Sequence, residues 1–438
     1  MTAVPLRRNR DFLILQAGQL VSTLGSQSSA VAYPLLVLAM TRSPMLAGTV
    51  GFTRVLPGVL FSLLGGVSAD RYNRKILMIM CDTIRATFVG TLAVALLLHR
   101  LTFWHILVVA FVEGTAAVVF RPASSAALRL IVPANQLSAA VSAQQGQTAT
   151  ASLTGPPLGG ALFALSRAFP FVADAVSYLV SVVSLLLIDK PFHEARRTAP
   201  ARLRAELAEG WRFLWHQPFL RTTTFLYGLT NFIGPGVLLS VVIVAERQGL
   251  SGGTVGMLLS TLSACIILGS FVSGFMRRAL SPRAILMLEL CAWPATALFL
   301  MWPNAYVLTA SMLPASLAIP VTDSVVVGYR LAITPDRLIG RVESVRSNIA
   351  LGLAPLGSLG AGFLLSVLSE RGAIAVFAAV ALALPIWGAL SPALQMTPTG
   401  AEVDGPARIE LKEATSGRGV SAAVMTTAIP RPGAPSAS

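Results

Sequence analysis

The chain reads as an all-α membrane protein with twelve transmembrane helices in two similar six-helix halves, on three observations. First, only 12% of its 438 residues are charged and 54% are hydrophobic, against roughly 25% charged in soluble domains. Second, runs without Asp, Glu, Lys or Arg extend from Phe12 to Thr41, Leu130 to Ser166, Thr222 to Ala245, Gln248 to Met276 and Ser347 to Ser369. Each exceeds the roughly 20 residues needed to cross hydrocarbon. Third, the chain repeats itself weakly. Ile131, Val132, Pro133 and Leu137 precede one long span, and Ile333, Thr334, Pro335 and Leu338 precede another; GPPLGG (Gly155 to Gly160) then follows in the first and APLGSLGAG (Ala354 to Gly362) in the second. Parallel six-helix repeats are an established transporter construction, with the substrate site at their interface.

The segments are too long and too uniformly apolar for barrel strands, so each is read as a helix. Arg7, Arg8 and Arg10 lead into the first span, 12–40, without the short apolar core of a cleavable signal. Arg42 separates it from the second, 46–69, which ends on the charged turn GGVSADRYNRK. The third, 76–98, stops before Arg100, and the fourth, 102–120, before Arg121. Arg167 divides the fifth, 138–166, from the sixth, 170–188. Asp189 to Pro218 is the longest internal polar stretch and separates the halves, 1–188 and 219–391. In this 189–218 linker Leu203, Leu207, Trp211 and Leu214 recur at helical spacing opposite Arg202, Arg204, Glu206 and Glu209, predicting an amphipathic helix at the membrane interface. The second half repeats the pattern with spans at 219–245, 252–276, 283–302, 304–328, 343–368 and 372–391. The 392–438 tail, rich in Pro, Gly, Ser, Thr and Ala, reads as disordered.

The net charge of +14 is not a nucleic-acid footprint, because the basic residues flank spans on alternating sides. With twelve helices, Arg42, Arg100, Arg167, Arg247 and Arg371 fall on one side and most other Lys and Arg on the other, which places both termini in the cytoplasm of a cell-membrane protein. Cys81, Cys265 and Cys291 lie within spans and form neither a disulfide framework nor a metal site. The sequence holds no GxxxxGK[ST] loop, and its four His residues are scattered. No cofactor, metal or direct use of ATP is expected, and no covalent catalytic constellation is visible.

Two motifs carry the functional reading. In the charged turn, Gly66, Asp70, Arg71, Arg74 and Lys75 resemble the signature loop between the second and third helices of major facilitator transporters. Asn73 stands where that loop has Gly and tolerates a left-handed backbone. Asp70 and the basic residues can latch a gate, while Gly66 would admit a neighbouring helix. Gly155, Pro156, Gly159 and Gly160 match GPxxGG, the core of the antiporter signature of exporting major facilitators, with Ser142 and Ala151 at its upstream Gly positions. Phe120 to Ala140, Asp174 with Ser177, and Thr334 to Ser344 strengthen the likeness. Together these resemble the drug:proton antiporter subfamily that includes macrolide-efflux proteins and the enterobactin exporter. The second-half counterpart of the loop keeps Gly274, Arg277, Arg278 and Arg283 but lacks the Asp.

The resemblance implies a proton-coupled exporter of amphipathic organic compounds, not an enzyme, working as a monomer in the bilayer by alternating access. Export of a siderophore or self-made metabolite is the alternative substrate reading; a non-transporting receptor or scaffold is the alternative class. An ionisable residue at a helix centre costs about 2.5–3.5 kcal/mol, so each needs a partner or a task. Glu113 in the fourth span is the first proton-site candidate and Asp323 in the tenth the second, with Arg54 a counter-charge to a carboxylate or an anionic substrate. Asp82 and Arg85, spaced i, i+3 near the charged turn, read as gate residues; Asp174 and Glu289 read as structural. Gln16, Gln19, Thr23, Tyr227 and Asn231 are candidates for lining a wet cavity, since polar groups facing lipid would go unsatisfied.

The charge asymmetry predicts which loops an impermeant thiol reagent reaches in intact cells. In a cysteine-free variant, single cysteines at Arg42, Arg167 and Arg371 are expected to react, and those at Asn73, Arg197 and Ser281 to be shielded. The inverse labelling pattern would reject this orientation.

Overall fold

Twelve long helical segments account for the described part of the chain. The computed structural model describes residues 6–188 and 203–395, without the side chains of residues 63, 64, 67, 69, 70, 203–207, 336 and 395. The first half contains α1 (Arg10–Thr41), α2 (Pro44–Arg71), α3 (Arg74–Leu97), α4 (Phe103–Ile131), α5 (Leu137–Leu165) and α6 (Phe169–Leu186). A linker helix, α7 (Leu203–His216), leads to α8 (Pro218–Arg247), α9 (Gly252–Ala279), α10 (Pro282–Ala292), α11 (Ala305–Ile333), α12 (Ile339–Gly352), α13 (Ala354–Val367) and α14 (Glu370–Leu390). Ten segments are both long and apolar enough to span a membrane. The other two, α1 and α5, have the length but carry more Gln, Ser and Thr.

Local chemistry explains where these helices begin and break. Asn9, Ser43, Asn73, Thr102, Ser251, Ser281, Asn304 and Ser369 each accept a first-turn backbone N–H, supplying partners for orphan donors. Pro44, Pro170, Pro218 and Pro282 stand in first turns, where the missing N–H costs nothing. At two other points proline ends a helix. Pro294 follows α10, and the chain continues as a 3-10 segment, Trp293–Leu300; Pro355 marks the break between α12 and α13.

Three local expectations are corrected. The fourth helix does not stop at residue 120: α4 runs through Arg121 and Pro122 to Ile131. Pro122 leaves the Val118 carbonyl without its helical donor, and Gly65 of α2 packs on that oxygen, where an added Cβ would lie 2.4 Å away. Hence Gly65, not Gly66, admits the neighbouring helix; a Cβ on Gly66 would meet nothing within 4 Å. Asn73 uses no left-handed backbone (φ −62°, ψ 114°); it caps α3, accepting from the N–H groups of Lys75 and Ile76.

Equivalent pairings recur in the two halves. The α2–α4 contact has its counterpart in α9–α11, and α1–α5 in α8–α13, as a parallel repeat requires. The halves meet through α2 against α13 and α5 against α9. Both seams are tightest at the helix ends near Arg42, Arg167 and Arg247. There a Cβ on Gly160 would lie 1.9 Å from the Gly252 carbonyl oxygen, and one on Gly48 3.0 Å from Gly362 Cα. Deeper in, Gly256 sits against the Pro156 carbonyl, and Ser62 reaches Asn348 at 2.7 Å. Towards the opposite end, Cβ atoms on Gly146 of α5 and Gly340 of α12 would meet nothing within 4 Å, and Gln145 and Thr148 are exposed. The halves are thus zipped at the Arg42 end and parted at the other.

The linker helix docks on the second half: Glu209 pairs with Arg341, and Gly210 sits on the Arg341 backbone. Leu214 is buried, while Trp211 and Trp215 stack with centroids 5.5 Å apart and remain half-exposed. Leu203, Leu207, Arg204 and Glu206 fall among the undescribed side chains, and residues 189–202 and the tail from 396 lie outside the described residues.

Because close backbone approach replaces hydrophobic driving force between helices in lipid, Gly160→Ala should cost about 1–3 kcal/mol through overpacking and loosen this end. Spin labels at Arg167 and Leu250 are expected to show a longer, broader distance distribution than in the parent; an unchanged distribution would mean that the seam does not hold this end shut.

Candidate functional site

The first half buries a connected polar core. Glu113 of α4 is buried and forms an ion pair with Arg54 of α2 at 2.6 Å. The hydroxyl of Tyr33, from α1, donates to the other carboxylate oxygen at 2.8 Å, and Tyr178 of α6 approaches from a third side at 3.4 Å. Gly114 makes this possible: its missing side chain lets α4 press onto the Arg54 carbonyl, where a Cβ would lie 2.3 Å from the oxygen. Arg54 also donates to the Ser26 carbonyl and lies over the Tyr33 ring. Its side chain is 23% exposed, so the pair is reachable from the Arg54 side.

Asp82 and Arg85 belong to the same core. Asp82 is fully buried, pairs with Arg85 at 3.3 Å and accepts from Ser181 of α6 at 2.7 Å. Arg85 lies over the rings of Phe120 and Tyr178. Both residues therefore face α6 and α4, whereas the gate reading had them serving the charged turn. In that turn Lys75 donates to the Ile188 carbonyl at 2.7 Å, Arg74 is buried and Arg71 exposed; the Asp70 side chain is outside the described residues. Asp174 is buried beside Gly25 of α1, and one carboxylate oxygen lies 3.5 Å from the Ser177 hydroxyl.

The antiporter-like segment faces two ways. Gly155 and Gly159 take Gln27 and Ser28 of α1 into their Cβ space, while Gly160 and the Pro156 carbonyl meet α9 across the seam. Several cavity candidates are spent on packing. Gln19 is buried in a mutual hydrogen-bond pair with Ser124 at 2.8 and 3.1 Å, Thr23 bonds its own helix, and Asn231 donates to the Tyr227 carbonyl. The burial of Gln19 corrects the expectation that it lines open space, whereas Thr23 and Asn231 remain half-buried. Gln16 is half-buried, with its amide nitrogen buried and without a hydrogen-bond partner.

In the second half Asp323 of α11 is exposed and accepts from Tyr227 of α8 at 2.6 Å. Nearby, Glu343 of α12 binds both Arg330 and Arg346 at 2.8 and 2.7 Å. Sequence reading had passed over Tyr33, Tyr178, Ser181, Arg346 and this triad. The signal available for the tyrosines was a hydroxyl-bearing ring in an apolar span, which needs a buried acceptor. Among the described residues no group of His, Cys, Asp and Glu is arranged to hold a metal ion.

The profile of the transmembrane secretion effector family matches residues 2–412. The chain belongs to this major facilitator family. It is similar to the multidrug efflux pump Tap of Mycolicibacterium fortuitum, 24% identical over 401 residues, which covers 88% of this chain and 95% of Tap. It also resembles macrolide efflux protein A of Streptococcus pyogenes, 24% identical over 181 residues, covering 41% and 45% of the two chains. Among solved structures, a bacterial homologue of the iron transporter ferroportin superposes with a TM-score of 0.66 at 15% identity, covering 88% of this chain and 98% of the other. This major facilitator protein is accordingly a multi-pass efflux transporter of small molecules and not an enzyme.

Cutting the Arg54–Glu113 pair on one side strands a buried charge. Arg54→Ala is expected to destabilise the purified transporter by roughly 2–3 kcal/mol, the low end for a broken buried pair because Arg54 is partly open. The double variant Arg54→Ala/Glu113→Gln should recover most of the loss in thermal unfolding; no recovery would show that the cost lies in packing instead.

Proposed function

We propose that this transporter exports an amphipathic organic compound in exchange for protons, with Glu113 as a proton-carrying group and both chain termini in the cytoplasm. The observation that carries the reading is the Glu113–Arg54 pair, a buried carboxylate held by one partly accessible cation and two tyrosine hydroxyls. While ionised, Glu113 ties α4 to α2 and α1. A proton on it removes the negative charge that holds Arg54, and the guanidinium becomes free to turn towards the space between the halves. Coupling follows if the loaded and unloaded forms favour different ends of the molecule being shut. The seam formed by Gly160, Gly252, Gly48 and Gly362 is one such shut end.

The substrate class is supported by the efflux relatives. Asp323 is the second-half candidate for the same chemistry, exposed and held by Tyr227. The charged turn, with Asp70, Arg71, Arg74 and Lys75, is assigned to holding the opposite end shut in the alternate state, where it would act on switching rather than binding. The protein works as a monomer.

In liposomes with an imposed proton gradient and no ATP, the purified protein should move an amphipathic dye against the proton flow, and a protonophore should stop it. Glu113→Gln is expected to lower gradient-driven export by about 10²-fold or more, the scale of a lost proton-transfer group, while retaining dye binding. Export that ignores every ion gradient and requires ATP would overturn the mechanism; full export by Glu113→Gln would move the proton site to Asp323.

A further inference from the structure

A second carboxylate is buried with no cation to hold it. Glu289 of α10 is 4% exposed, and no ion pair or hydrogen bond of normal geometry falls on it among the described residues. Two polar groups point at it, Thr322 Oγ1 of α11 and Trp293 Nε1 at the start of the 3-10 segment. Both atoms are buried and neither closes a hydrogen bond. An isolated ionised carboxylate in such surroundings is far too costly to persist without a donor; the donors present are aimed at it but not engaged.

The space beside Glu289 explains why. A small cavity lies between α8, α10 and α11, lined by Thr223, Tyr227, Thr230, Glu289, Thr322 and three leucines. Its free volume of about 10 Å³ is near the smallest that accommodates one water, and its walls are polar enough to hold it. The hydroxyl protons of Thr223 and Thr230 are committed to the carbonyls of Phe219 and Tyr227 of their own helix. Their oxygens are therefore left as acceptors. Tyr227, in the wall of the same cavity, bonds exposed Asp323 at 2.6 Å. One water in this space would complete a chain from Asp323 through Tyr227 to Glu289.

From this geometry we propose that Glu289 is a second, buried proton site, loaded from Asp323 through the Tyr227 hydroxyl and one cavity water. The transfer balances without another reactant. The Asp323 O–H bond breaks and a Glu289 O–H bond forms, while the tyrosine and the water each accept one proton and give one up. The titratable groups facing Glu289 are Asp323 of α11 and Tyr227 of α8, with Arg346 of α12 standing beyond them. Of the other helices packed on α10, α14 holds its ionisable residues, Glu370 and Arg371, in its first turn. On α9, Arg277 and Arg278 stand in the last turn. The proposal extends the proton-antiport reading from the first half to the second.

Infrared difference spectroscopy of the full-length protein in liposomes, titrated from acid to alkaline pH, tests it directly. A protonated-carboxyl band is expected that Glu289→Gln removes and Glu113→Gln leaves. Tyr227→Phe should keep the band but slow its hydrogen–deuterium exchange by roughly 10²-fold, the scale of a positioned proton-transfer group. A titrating band set unchanged by Glu289→Gln, or equal exchange in Tyr227→Phe, would overturn the proposal, and the second variant decides should the first fail to fold. The two readings separate cleanly. Proton-driven export without a Glu289 band removes this site alone. A Glu289 band that exchanges through Tyr227, in a protein whose export ignores proton gradients, keeps the site and removes proton coupling.

Discussion

A carboxylate that stays ionised in a low-dielectric helix bundle needs a cation or donors to hold it, and much of the first half is arranged around that requirement at Glu113. The ion pair with Arg54 closes at 2.6 Å only because Gly114, the next residue, lets the α4 and α2 backbones touch. Tyr33 and Tyr178 then bring α1 and α6 to the same group. Arg85 stacks on Tyr178 and pairs with Asp82, carrying the network to α3. Five helices thus share one set of charges, so in the proposed mechanism a proton on Glu113 would act on each of them.

The two halves repeat each other in packing but differ in electrostatics. In the first half, Glu113 and Asp82 are each answered by an arginine. In the second, Asp323 and Glu289 have a tyrosine and unengaged donors instead, while Arg330 and Arg346 gather on Glu343 at the parted end. Among the described residues, the pseudo-symmetric backbone therefore holds its arginine–carboxylate pairs inside the membrane in the first half, alongside the cation-free Asp174, and leaves the carboxyl groups of α10 and α11 without a cation.

Glycine and proline set where the helices touch. The GPPLGG segment serves α1 with Gly155 and Gly159 and the opposite half with Gly160 and the Pro156 carbonyl, so about one and a half turns of α5 couple packing inside one half to the seam between halves. Pro122 works comparably at the other end of α4, exposing the Val118 carbonyl to which Gly65 moves close. Without a hydrophobic driving force between helices in lipid, these backbone contacts carry much of the association.

The helices, their order, the division into halves and the exporter family were legible in the sequence, because hydrocarbon thickness fixes span length and charges mark the ends of spans. Glu113 was legible too, as a charge too costly to lie in a span without purpose. Its partners were less so. Arg54 was readable as a counter-charge to a carboxylate, but Tyr33 and Tyr178 lie far from Glu113 in the chain, and nothing in a uniformly apolar helix says which way it is rotated. The same ambiguity assigned the close contact to Gly66 instead of Gly65, one residue and about 100° around the helix, and sent Gln19 to a cavity when it is spent on Ser124. In water the apolar stripe of a helix reveals its buried face. In a bilayer the lipid-facing and core-facing sides are both apolar, so rotation and partners are decided only when the helices pack.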